Sequence, residues 1–92
     1  MKVVILDEAA DDLDGIFTWI AKDNPRAAAT VARRIRAKIG TLSTPALTEM
    51  GRPGRRTGTR ELIEGPYIIV YSIHDDRGEI RVSAVFHGAQ NK

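Results

Sequence analysis

Ninety-two residues suffice for one domain, residues 1–92, and leave no room for a second. The absence of cysteine excludes a disulfide framework and a Cys-based zinc site. No apolar run approaches the ~20 residues of a membrane span, and Asp7 and Glu8 interrupt the apolar start too early for a secretory signal, so a cytoplasmic protein without membrane contact is expected.

The net charge of +2 hides a segregation. Residues 1–24 carry six acids against two bases, residues 25–60 nine bases against one acid, and residues 61–92 five acids against three bases. The basic middle suits an anionic partner, either nucleic acid or an acidic protein segment, or it is a solvated helix face joined to a basic loop.

Lys2–Leu6 reads as a short apolar strand. Asp7 then suits a helix N-cap, with Glu8, Asp11 and Asp12 near the positive end of the helix dipole. Ala9, Leu13, Ile16, Phe17 and Ile20 recur at helical spacing, which predicts an amphipathic helix over residues 8–22. Trp19 lies beside that stripe, as a core-edge residue or as an interface anchor. Asn24 as N-cap and Pro25 at the first helical position open a second helix. Its stripe is Ala28, Val31, Ala32, Ile35, Ile39 and Leu42, and its other sides carry Arg26, Arg33, Arg34, Arg36 and Lys38. The short connection predicts an antiparallel helical hairpin.

Ser43–Thr57 should be irregular, broken by Pro45, Gly51, Pro53 and Gly54. So long a loop in so small a domain is often functional. Three strands follow within Gly58–His87, separated by Gly65-Pro66 and by Asp75-Asp76-Arg77-Gly78, and Gly88–Lys92 is a polar tail. Strict alternation puts Tyr67, Ile69, Tyr71 and Ile73 on one face of the middle strand. On the last strand it sets Arg81, Ser83, Val85 and His87 opposite Ile80, Val82, Ala84 and Phe86. The exposed face should then combine Arg81, Ser83, His87, Ser72 and His74. The order β-α-α-β-β-β describes an α+β fold, a helical hairpin packed on a mainly antiparallel four-stranded sheet. The place of the first strand in that sheet stays open.

Four constellations bear on chemistry. Asp7/Asp11 and Glu8/Asp12 are i, i+4 carboxylate pairs, but no further acids converge on them, so dipole complementarity explains them better than Mg²⁺ does. Two histidines thirteen positions apart, without cysteine, argue against a metal site, and no cofactor is expected. The run Gly51–Arg56, GRPGRR, lacks the Lys-Ser/Thr of a phosphate loop. Its Arg52, Arg55 and Arg56, with Arg60 beyond, can still grip phosphates or carboxylates. His87, at the end of the last strand, suits a general acid or base, or a structural hydrogen bond.

Read together, these segments resemble the RelE/ParE superfamily of type II toxins, on its ParE side. The resemblance spans nearly the whole chain. It rests on the opening strand, the Ala10–Ile20 helix pattern, the DNP-x-AA start of the second helix at Asp23–Ala28, and GR-x-G at Gly51–Gly54. GTREL at Gly58–Leu62, YIIVY at Tyr67–Tyr71 and a strand ending in His87 complete it. It implies a toxin bound and silenced by a cognate antitoxin, of the kind that serves plasmid stabilization. ParE-like members resemble gyrase poisons and are not enzymes; RelE-like members cut messenger RNA on the ribosome. For cutting, this chain offers Arg60, Glu64, Arg81 and His87, but it lacks lysine between Ile39 and Asn91, has Gly88 after His87, and has Ile68 where such nucleases often carry arginine. The expectation is therefore a DNA gyrase inhibitor without catalytic residues, with the ribosome-dependent endonuclease as the alternative. Contacts to target or antitoxin are expected from Arg52, Arg55, Arg56, Arg60, Trp19, Arg81 and His87. With five aromatics and none in the basic loop, direct specific DNA binding is not expected.

Overall fold

The computed structural model describes residues 1–44, 47, 48 and 50–89. Pro45 of the expected loop and residues 90–92 of the expected tail lie outside these. The chain runs β1 (Lys2–Ile5), α1 (Asp7–Ala21), α2 (Pro25–Gly40), a 3₁₀ turn (Thr41–Ser43), β2 (Arg52–Pro53), β3 (Thr59–Glu64), β4 (Tyr67–His74), a second 3₁₀ turn (Asp75–Arg77) and β5 (Glu79–His87). The described strands form one sheet in the order β1-β5-β4-β3-β2. All neighbours are antiparallel except β1 and β5, which run parallel from Lys2 beside Glu79 to Ile5 beside Val82.

Both helices follow from their apolar spacing, and their ends follow from local chemistry. Asn24 caps α2 as expected, its Oδ1 accepting from the Ala27 amide at 3.1 Å, and Pro25 sits at the first helical position. Asp7 does not cap α1. Leu6 stays extended so that its amide can bond the Val82 carbonyl at 2.9 Å, and its own carbonyl accepts from the Ala10 amide. The strand therefore runs straight into the helix, and Asp7 and Glu8 fall in the first turn, still at the favourable end of the dipole.

The hairpin covers one face of the sheet. Its Ala9, Leu13, Ile35 and Ile39 pack with Leu42, Ile69, Tyr71, Ile80, Val82 and Val85 in one buried cluster. Each fully buried Leu, Ile or Val stabilises the fold by about 1.5–3 kcal/mol. The stripe of α1 is narrower than its spacing suggests: Phe17 is 42% exposed and Trp19 74% exposed, so Trp19 is no core-edge residue.

Two expectations fail for identifiable reasons. The sheet has five strands rather than four, because Arg52 and Pro53 pair with Glu61 and Arg60 at its edge, where proline loses no needed donor. More consequential is a bulge in β5. Val70 pairs with Ala84 but Tyr71 with Val82, so Ser83 is an extra residue and the alternation shifts. Val85 turns inward to the helices, 1% exposed. Ala84 and Phe86 turn to the outer face in place of the expected His87, which instead meets Tyr67 edge-on, with ring centres 5.5 Å apart.

Candidate functional site

The long loop between α2 and β3 is tied down by a buried phenol. The Tyr71 hydroxyl donates to the Thr48 carbonyl at 2.9 Å and accepts from the Gly51 amide at 3.0 Å. Arg60 Nη1 donates to the Gly51 carbonyl at 3.0 Å. Glycine is required at 51, since a Cβ there would lie 2.6 Å from the Tyr71 hydroxyl and 2.8 Å from the Glu61 carbonyl. Gly54 is held by the backbone instead, its amide donating to the Thr59 carbonyl at 2.8 Å. Arg55 and Arg56 are thereby presented at the tip of an anchored loop.

That tip overhangs the outer face of the sheet. A concavity of about 330 Å³ lies there, with Arg55 and Arg56 at its rim and Val70, Ala84 and Phe86 among its lining. Glu61 also lines it, only 8% exposed, and its carboxylate is matched by Arg52 Nε at 3.0 Å. Beyond the concavity, Ile63, Ile68 and Phe86 form one apolar cross-strand row. The other end of this face is polar. Ser72 Oγ lies 2.8 Å from His74 Nε2, and opposite them Arg81 Nε lies 2.7 Å from Glu79 Oε1. That hydrogen bond and the Arg81 charge hold the Glu79 carboxyl below its ordinary value of 4.5.

A second surface lies where β1 ends. Among the described residues β1 covers β5 only as far as Val82, so the edge from Ser83 to His87 carries no strand. Asp12 of α1 reaches across and accepts the Val85 amide at 3.0 Å. One acid of the N-terminal cluster thus substitutes for a missing strand partner, and no three potential metal ligands converge among the described residues. Trp19 stands seven residues further along the same side of α1. With Gly15, Ile16 and Tyr67 it lines a groove of about 300 Å³ beside the open edge. The Lys22 ammonium sits 5.6 Å from the centre of the Trp19 ring.

Among the described residues, a helical hairpin packs on a sheet whose β5 edge beyond Val82 and whose outer face carry no further strand or helix. Residues 3–92 match the family described as ParE toxin of type II toxin-antitoxin system, parDE. The chain belongs to this ParE toxin family. "Putative toxin Y4kP" of Sinorhizobium fredii (strain NBRC 101917 / NGR234) is 43% identical over 81 residues, covering 85% of this chain and 78% of that protein. Among solved structures, the chromosomal ParDE TA system from P. aeruginosa shares the fold with a TM-score of 0.82 at 24% identity, over 95% of each chain. The toxin-antitoxin complex RelBE2 from Mycobacterium tuberculosis superposes with a TM-score of 0.62 at 30% identity, over 94% of this chain and 95% of that one.

In this ParE-family chain the residues singled out from the sequence separate into three places. Arg52, Arg55 and Arg56 gather at the anchored loop, and Arg60 holds that loop from the helix side. Arg81 lies on the outer face, ion-paired with Glu79. Trp19 and His87 belong to the other end, near Tyr67. The set Arg60, Glu64, Arg81 and His87 does not converge. Glu64, Tyr67 and His87 share one cross-strand row, whereas Arg60 and Arg81 lie toward the opposite end of the sheet. Arg81 and His87 stand six residues apart on opposite faces, roughly 20 Å at ~3.3 Å per residue. His87 Nδ1 accepts the Ala89 amide at 3.1 Å. Sequence reasoning missed Gly15 and Tyr67 in the groove and the outward Ala84 and Phe86. Only the unreadable bulge pointed to the last two.

Proposed function

We propose that this chain is the toxin of a type II pair, silenced by a cognate antitoxin that docks in the Trp19 groove, and that it acts by binding DNA gyrase. The observation that carries the antitoxin reading is a 74% exposed tryptophan beside a strand edge that no strand covers among the described residues. A helix can fill the groove and a strand can extend β5, both common modes of peptide recognition. The relatives of known structure are described as toxin-antitoxin assemblies, which supports such a partner. The scattered Arg60, Glu64, Arg81 and His87 support inhibition by binding rather than by cleavage. Trp19→Ala should weaken antitoxin binding by about 2 kcal/mol, roughly thirtyfold, in calorimetry. An unchanged affinity would remove the groove from the interface. Induction without antitoxin should give double-strand DNA breaks and an SOS response.

The RelBE2 likeness favours a second reading, a ribosome-dependent mRNA endonuclease. Rapid loss of translation with cleaved messages, in place of DNA breaks, would establish it.

A further inference from the structure

The outer side of α2 carries a charge that the fold itself does not explain. Arg26, Arg33, Arg34 and Arg36 are all exposed, and α2 contains no acid. Among the described residues none of the four takes part in an ion pair. Helix stability does not call for them either. Arg26 sits in the first turn, at the positive end of the dipole, where a cation is unfavourable. Arg33 and Arg36 are like charges at i, i+3, and Arg34 and Lys38 at i, i+4, spacings at which like charges destabilise a helix. A polyanion relieves all of these repulsions at once. We propose that this ridge binds the phosphate backbone of double-stranded B-form DNA, without sequence preference.

The spacing carries the choice of ligand. Arg26 and Arg33 are two turns apart on one side of α2, and Arg34 and Arg36 flank them. At ~1.5 Å per residue, Arg26 lies about 10 Å from Arg33 and about 15 Å from Arg36 along the axis. The major groove of B-DNA is about 12 Å wide, so α2 laid across it sets Arg26 against one strand and the other three against the opposite strand. Between them lie Ala29 and Thr30, small enough to admit a close approach. The Thr30 hydroxyl is already engaged, donating to the Arg26 carbonyl at 3.1 Å and accepting from Arg33 Nη2 at 3.5 Å. With no Asn or Gln on α2 to read base edges, the contacts go to phosphates.

Other anions fit less well. Single strands are held by stacking on aromatic faces, and α2 has no aromatic residue. An A-form duplex presents a deep, narrow major groove that this spacing does not match. An acidic protein segment needs an apolar anchor, but Val31, Ile35 and Ile39 of α2 all pack into or against the core. A second copy brings the exposed Asp11 and Asp14 of α1, yet isolated exposed ion pairs contribute little. A duplex offers a phosphate every ~1.7 Å and releases counterions on binding.

The test measures binding of the full chain to a fluorescein-labelled DNA duplex by anisotropy over a series of salt concentrations. Four phosphate contacts predict a slope of log K against log salt of about −3.6, so a fourfold rise in salt costs on the order of a hundredfold in affinity. Arg33→Gln combined with Arg36→Gln should weaken binding roughly tenfold at low salt and reduce the slope by about 2. Glutamine keeps the helix propensity, and lysine at both positions should restore the slope. Arg77→Gln, in the turn before β5, removes one charge elsewhere and should leave the slope unchanged. Amide shifts in the unmodified protein should centre on residues 26–36, which reads the site even where a variant fails to fold. Two duplexes of unrelated sequence should bind equally. An unchanged slope in the double variant, shifts elsewhere than α2, tighter binding of an RNA duplex or a single strand, a marked sequence preference, or self-association that excludes the duplex would each overturn the proposal. None of these outcomes bears on whether Trp19→Ala weakens antitoxin binding or on which protein the chain inhibits, so the readings fail separately.

Discussion

Tyr71→Phe isolates the device that holds the arginine loop. The ring stays in the core, fully buried, and only the hydroxyl is lost. Two loop groups then lose a partner, the Thr48 carbonyl and the Gly51 amide, which now bond that hydroxyl at 2.9 and 3.0 Å. A buried group left without a mate costs about 1–3 kcal/mol, and water entering from the loop side offsets part of it. We expect a loss of about 2–4 kcal/mol. At ~4–8 °C per kcal/mol for a domain of this size, the melting temperature should fall by roughly 10 °C or more. Urea titration followed by far-UV circular dichroism measures this; Trp19 fluorescence does not, because the indole is already exposed. Hydrogen exchange at the Gly51 amide should speed up more than exchange in β4. A loss under about 0.5 kcal/mol with Gly51 protection unchanged would refute the reasoning.

Four further outcomes are expected. Gly51→Ala should destabilise the fold by more than about 2 kcal/mol, since its Cβ meets the Tyr71 hydroxyl and the Glu61 carbonyl, and thermal melts will show whether it does. Gly15→Ala should do the opposite, raising stability by about 0.5–1 kcal/mol in open space on α1, while slowing antitoxin association because the added methyl enters the Trp19 groove. Asp12→Ala should lower stability by about 1.5–3 kcal/mol in the same melts, with faster exchange at Val85, because a charged acceptor is removed from a buried amide. Glu79 supplies a pH test. Its folded pKa is depressed, so its contribution is present above the unfolded value and is lost as pH falls through the folded one, below 4.5. Glu79→Gln should flatten the acid limb of the melting profile in that window, and Arg81→Ala should return the carboxyl toward its ordinary titration by NMR.

The helices and the β3–β4–β5 meander were legible because periodicity and turn residues are local. Asn24-Pro25 announced the start of α2 by capping chemistry alone. Three features were not legible, each because it depends on a distant residue. The bulge at Ser83 is a mismatch between two strands, invisible in either strand alone, and it moved Val85, Phe86 and His87 to faces opposite those expected. Asp12 was one acid among several until β1 proved too short to cover Val85. Tyr71 looked like core, and its hydroxyl became meaningful only once the loop folded back over it. The basic loop was singled out from its arginines and glycines, but the outward Ala84 and Phe86 that give its concavity an apolar lining were assigned to the core.

The parallel pairing of β1 with β5 also sets an order of events in synthesis. Lys2 finds its sheet partner only when Glu79 has been made. At ~5–20 residues per second, the first strand waits several seconds while the helical hairpin, built from near neighbours, can already form. Two surfaces draw on β5: the open edge beside Trp19, and the concavity through Ser83, Ala84 and Phe86. A nascent chain that stalls before Glu79 therefore carries neither of them, and both surfaces are completed in a single late step.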